Sequence, residues 1–145
     1  MISTIYDNLI TLVKTALPTY EHMSFSGSYL DNSDLIKLKG FSIKVNGSIN
    51  SERKLSCHES VVRNFEINLY NKAIYRRQNE GDLSGIYKTF LTDVDTLIKS
   101  IGNNATLDDS CVSFKYITDN GITLDEDDTI NSMRITIAVS AEYFL

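Results

Sequence analysis

Between Ile86 and Ile101, apolar side chains recur at Ile86, Tyr87, Phe90, Leu91, Val94, Leu97, Ile98 and Ile101, with Asp93, Asp95 and Lys99 between them. The three-and-four spacing winds these residues into one broad stripe along an α-helix. Such a helix draws most of its stability from packing, so the rest of the chain has to supply an apolar surface to cover the stripe. Asp82 or Ser84 offers an N-cap, and Gly102 follows the last apolar residue, where a left-handed C-terminal glycine is common.

A second striped helix opens the chain, with Ile2, Ile5, Tyr6, Leu9, Leu12, Val13, Ala16 and Leu17 on one face, Ser3 as a cap and Pro18 as its stop. The covering surface comes from strands, whose signature is alternation. Phe41, Ile43 and Val45 alternate up to Asn46-Gly47, and Phe65, Ile67 and Leu69 alternate with Asn64, Glu66 and Asn68. Val112, Phe114 and Tyr116 alternate up to the turn signal Asp119-Asn120-Gly121, and Met133, Ile135, Ile137, Val139, Ala141 and Tyr143 alternate towards the end. Thr19 to Lys39 shows no period and reads as a long connection, and Asn71 to Gly81 reads as a projecting polar loop. One-sided helices and one-sided strands are satisfied together by an α+β domain over residues 1–145. Its expected form is a four-stranded, mainly antiparallel sheet with two helices packed on one face, in the order α-β-β-α-β-β.

Fourteen Lys and Arg against nineteen Asp and Glu leave a net charge of −5, without a dense basic run. A dedicated nucleic-acid binder neutralises phosphates with clustered cations, so this balance speaks against one. No stretch is apolar for the length of a membrane span, and the first residues, with Asp7 and Lys14, do not read as a secretory leader. The expectation is a protein made in the cytoplasm with Cys57 and Cys111 as reduced thiols.

The residues that could carry chemistry do not assemble into a pattern. His22, His58, Cys57 and Cys111 lack the short paired spacing of a metal site. Adjacent Cys57 and His58 point to opposite sides of an extended backbone, so they cannot act as nucleophile and base for each other. The run Asp125-Glu126-Asp127-Asp128 lacks the glycine position and flanking helix of a calcium-binding hand, and the glycines are scattered rather than gathered in a phosphate loop. The expectation is a protein with no catalytic residues, no cofactor and no metal, and not an enzyme.

Three phrases carry a likeness. Leu17-Pro18 and Tyr20 leave the first helix ahead of Lys39-Gly40-Phe41. Arg53, Ser56 and Cys57 lead through Arg63 and Phe65 into Ile67 and Leu69, and Ser140-Ala141-Glu142-Tyr143-Phe144 closes the chain. In these phrases and in its order of elements the chain resembles the tail terminator proteins of long-tailed bacteriophages. The resemblance implies a structural virion protein, with small α+β subunits closing into a six-fold ring at the head-proximal end of the tail tube. That ring ends tube growth and meets the head connector or stopper, while DNA passes through without specific binding. The partners implied are further copies of the chain, the tail tube protein and the connector, with assembly in the host cytoplasm and no membrane. A head-to-tail ring needs two different complementary patches per subunit. The basic residues Lys72, Arg76 and Arg77 and the acidic residues Asp125, Glu126, Asp127 and Asp128 are the candidate interface, either meeting across the subunit boundary or docking on tube and connector. A head-tail connector or tail completion protein, and a small cytoplasmic ligand-binding or enzymatic α+β domain, are the alternative readings.

Overall fold

The structure is a computed structural model that describes residues 2–23, 39–50, 60–74, 82–126 and 130–145. Its elements are α1 (Ile2–Ala16), β1 (Glu21–His22), β2 (Lys39–Asn50), β3 (Ser60–Ile74), α2 (Asp82–Gly102), β4 (Ser113–Asp119), β5 (Thr123–Glu126) and β6 (Ile130–Phe144). The fold is α+β with two helices, but the sheet is mixed and has six strands where four were expected.

Strands β3 and β6 form its spine. They pair antiparallel in unbroken register from Ser60 opposite Phe144 to Ile74 opposite Ile130. The unbroken register puts Val61, Phe65, Ile67 and Leu69 on the same face as Tyr143, Val139, Ile137 and Ile135, all buried. A slip of one residue would turn this whole set to the other side, so the alternation specifies the pairing strongly. β2 adds to β3 with Phe41 opposite Leu69, Ile43 opposite Ile67 and Val45 opposite Phe65. The two alternating phrases thus pair antiparallel with each other.

Both helices cover that one face. Ile5, Leu9, Leu12 and Val13 of α1 and Phe90, Val94, Leu97 and Ile101 of α2 share a single buried core with the inward residues of β2, β3, β4 and β6. The stripe of α2 is narrower than its sequence, because Tyr87 and Leu91 remain exposed while Ile86 and Ile98 are half-buried. The opposite face of β3 and β6 carries no helix and is largely polar, with Asn64, Glu66, Asn68, Arg134, Thr136 and Ser140 in alternate positions.

Several local expectations are corrected. α1 already includes Ser3, which therefore lies in its first turn and is not the cap. Pro18 does stop α1, after Leu17 N donates to Val13 O at 2.8 Å. Asn46-Gly47 is not a turn: the register of β2 on β3 shifts between Val45 and Ser48, and the strand continues to Asn50. A bulge there gives one strand an extra residue and sharpens its twist. The connection after α1 contains β1, which pairs parallel to β2 with Glu21 opposite Gly40 and His22 opposite Phe41. Met23 follows, its N–H donating to Phe41 O at 2.8 Å, and its thioether packs over Gly40, where a Cβ would meet it at 3.0 Å.

Gly102 ends α2 without a left-handed residue. The left-handed region is entered further on, by Leu107, Asp108 and Asp109 at φ of 47°, 56° and 63°. Asp119-Asn120-Gly121 is also not a hairpin turn. β4 and β5 both lie antiparallel on the same edge of β6, so the three residues Asn120 to Ile122 interrupt one edge rather than reverse the chain. Gly121 takes φ +77° and its N–H donates to Asp119 Oδ1 at 2.9 Å, closing a side-chain turn.

Candidate functional site

The basic and acidic stretches singled out as an interface arise at one end of the sheet. Lys72 belongs to β3 and sits opposite Ser132 of β6, and Asp125 belongs to β5 and sits opposite the same Ser132 from the other side. In the adjoining row Asn131 lies between Ala73 and Glu126. Two strand spacings separate the stems, roughly 10 Å between backbones. Lys72, Asp125 and Glu126 are thus strand residues rather than loop residues as expected. Arg76, Arg77, Asp127 and Asp128 lie outside the described residues.

At the far end of the same spine, Arg63 holds the bulge of β2. Its Nη1 donates to Asn46 O at 2.9 Å, its Nη2 to Ser48 Oγ at 3.3 Å and its Nε to Tyr143 Oη at 3.1 Å.

Between helices and sheet, Tyr20 is buried and donates to Asp93 Oδ2 of α2 at 2.8 Å, with Lys39 Nζ 5.8 Å from its ring centre. Burial, and then the hydrogen bond to Asp93, push the Tyr20 hydroxyl far above the usual phenol range. Beside it, His22 lies against the Phe41 ring at 5.3 Å, with Tyr6 Oη 3.5 Å from its Nε2. Burial and the like charge of Lys14 lower its pKa, so neutral imidazole is favoured. An open depression is lined by Lys14, Pro18, Tyr20, Glu21 and His22.

Cys111 is a buried thiol whose Sγ lies 3.3 Å from Thr106 O, and burial raises its pKa, the opposite of what a nucleophile needs. Cys57 and His58 lie outside the described residues. Among the described residues no three His, Cys, Asp or Glu side chains gather in a metal-binding group. No described helix is long and apolar enough to cross a membrane.

One concavity was not foreseen. On the helix-free face, at the break between β4 and β5, Asn68, Tyr70, Asn120, Thr123, Arg134 and Thr136 enclose a polar cavity of about 210 Å³. Thr136 organises it. Its N–H donates to Asn120 Oδ1 at 2.8 Å, so a side-chain oxygen replaces the missing strand carbonyl, and its hydroxyl donates to Asn68 Oδ1 at 2.7 Å. The residues come from β3, β6 and the β4–β5 break, and alternation in the sequence marks them only as solvent-facing.

No protein-family profile matches the chain, and no curated protein matches it. Among solved structures, the chain is similar to one in the virion of the native gene transfer agent particle. The two share 9% identity at a TM-score of 0.38, over 95% of this chain and 91% of that one.

Proposed function

We propose that the chain is a structural subunit of a phage-like virion that forms a ring, six-fold by resemblance, at the head-proximal end of a tail tube. There it ends tube polymerisation and joins the tail to the head connector. The observation that carries this reading is where the tail-terminator-like phrases fall. Leu17 and Tyr20 are buried at the exit of α1 above Phe41, and Arg63 on β3 holds Tyr143 on β6. Phe65, Ile67 and Leu69 form the centre of the spine. Among the described residues the likeness thus falls on joints of the fold, as expected of a family that shares a scaffold rather than a reaction; Arg53, Ser56 and Cys57 lie outside them.

The charged stems suit this role through one of the two routes considered. By backbone register, Lys72 of β3 and Asp125 and Glu126 of β5 flank β6 at one end of the sheet, which supports docking on tube or connector as the route. The net charge of −5 suits a channel wall that DNA passes without sticking. No catalytic step belongs to this reading.

The test is assembly. The native mass of the protein should rise from a free form to a closed ring when tail tube protein is added, and electron microscopy should show tubes of limited length with the ring at one end. Unchanged tube lengths in the presence of a chain that stays monomeric would overturn the proposal. A ring found at the end joined to no tube would point instead to a connector.

A further inference from the structure

Resting on the ring read above, we propose that neighbouring copies join sheet to sheet, the outer edge of β2 in one copy pairing antiparallel with the outer edge of β4 in the next. The two edges are defined by where backbone groups point. Val112 N–H donates to Glu142 O at 2.7 Å and Asn120 N–H to Thr136 O at 3.2 Å, so the even-numbered residues of β6 turn their N–H and C=O groups towards β4. These groups alternate in side along a strand, and the register carries the alternation across the sheet. Ile43 and Val45 therefore point theirs away from β3, and Tyr116 points its own away from β6. Neighbouring bonds agree: Phe41 O accepts from Met23 N–H, and Phe114 N–H donates to Ala105 O, both on the outward side. Among the described residues nothing pairs with the outward groups of Ile43, Val45 or Tyr116, which makes each edge a template for a further strand.

The occupant is a second copy because the two edges match each other. Val45, Phe65, Val139 and Tyr116 form one row across the sheet, so Val45 and Tyr116 stand at the same height on opposite edges. β2 is antiparallel to β3, β3 to β6 and β6 to β4, so β2 runs opposite to β4. Copies repeating around an axis along the strands bring the two together antiparallel, with Val45 and Tyr116 exchanging both backbone bonds and the helices on one side throughout. The Phe41 row, which β1 occupies at the β2 edge, reaches the far edge at the β4–β5 break, so β1 meets a gap in the neighbouring edge. Val45 is 39% and Ile117 45% exposed, apolar surface at the two edges that the joint would cover. Two different edges make a head-to-tail contact, which can close a ring, whereas β2 against β2 would stop at a dimer. The register shifts after Val45 and Tyr116 keep the ladder short, so the joint forms where a tube end sets copies side by side.

Val45→Pro removes an outward N–H and spares the ladder to β3, as a proline on an edge strand does. Added to tail tube protein, this variant should lose tube capping while its circular dichroism matches the parent's. Val45→Cys combined with Ile117→Cys, treated on capped tubes with a short bismaleimide, should give a ladder of covalent multimers. The parent, which carries Cys57 and Cys111, should not, and Val45→Cys alone should add nothing to the parent's pattern. The cross-link decides for a proline variant that does not fold. A double variant that caps tubes yet gives no ladder, dimers from Val45→Cys alone, or undiminished capping by Val45→Pro would overturn the edge pairing and leave the ring standing. A parent chain that forms no ring on tubes would remove both.

Discussion

Arg63 and Tyr143 stand diagonally across the β3–β6 pair, and Nε of the one donates to the hydroxyl of the other at 3.1 Å. In register, Tyr143 faces Val61 and Arg63 faces Ala141, so the two side chains share the helix-covered face. The remaining guanidinium nitrogens reach Asn46 O and Ser48 Oγ, which ties the bulge of β2 to a strand two places away. Removing the guanidinium leaves the nearly buried Tyr143 hydroxyl without its partner. Arg63→Ala should therefore cost about 2–3 kcal/mol, and Tyr143→Phe about 1 kcal/mol, since the arginine keeps its other bonds. Urea unfolding of both variants and the double variant checks this. A double variant as unstable as the sum of the two singles would show that the residues are not coupled.

The centre of the sheet makes a sharper demand. Ile43, Ile67 and Ile137 form a continuous cross-strand row, with Ile67 and Ile137 fully buried. Ile67→Val should cost about 1 kcal/mol, and Ile67→Ala about 3–4 kcal/mol as a cavity opens beneath both helices. Chemical denaturation gives both values. An Ala variant within half a kcal/mol of the parent, roughly the scatter of a surface substitution, would mean that the helices do not close on this row.

How much of this was legible follows from the range of each signal. The α2 stripe and the alternation at Phe65 to Leu69 and Met133 to Tyr143 are local periodicities, and they place the helix, the spine and the buried face. What failed is set by partners distant in sequence. Asn46-Gly47 and Asn120-Gly121 are strong turn signals because their residues accept unusual backbone angles. At Gly121 that tolerance serves a strand break instead, at φ +77°, while Asn46-Gly47 sits in a bulge without a positive φ; in both cases a long neighbour, β6 or β3, continues alongside. The two-residue β1 has no room for a period and exists only through Gly40 and Phe41. The cavity needs Asn68, Asn120 and Thr136 brought together by register, which no local pattern encodes.

The turn after α2 stores backbone strain that can be released. Leu107, Asp108 and Asp109 are consecutive non-glycine residues in the left-handed region, where the Cβ crowds the following carbonyl. Leu107 is anchored by full burial, and Asn104 Oδ1 accepts from Asp108 N at 3.0 Å. Asp109 is exposed; Thr106 Oγ1 accepts from its N–H at 3.3 Å, a bond that glycine keeps, and donates to its Oδ1 at 3.2 Å, an exposed bond that glycine loses at little cost. Asp109→Gly should thus leave stability unchanged or raise it by up to about 1 kcal/mol, while Asp109→Val should lower it by at least about 1 kcal/mol. Thermal unfolding of the pair decides: a valine variant as stable as the glycine variant would show that this residue is not held at positive φ.

His22 supplies a pH dependence whose sign can be worked out. From α1 it faces Lys14 and Tyr6, and from β2 the Phe41 ring. Burial first, and Lys14 second, lower its pKa in the folded protein below the ordinary value of 6.5. Below about pH 6.5 the unfolded chain takes up a proton that the folded chain still refuses, and stability rises with pH wherever the unfolded state binds more protons. The contribution of His22 is therefore complete above that pH and is lost as pH falls through the folded-state pKa. His22→Gln should unfold with a shallower dependence than the parent between about pH 6.5 and 5, the window below the ordinary imidazole pKa. Because His58 is present in both proteins, the difference between their urea midpoints isolates the β1 imidazole. Parallel midpoint curves across that window would mean that β1 accepts a charged His22 against Phe41 without cost.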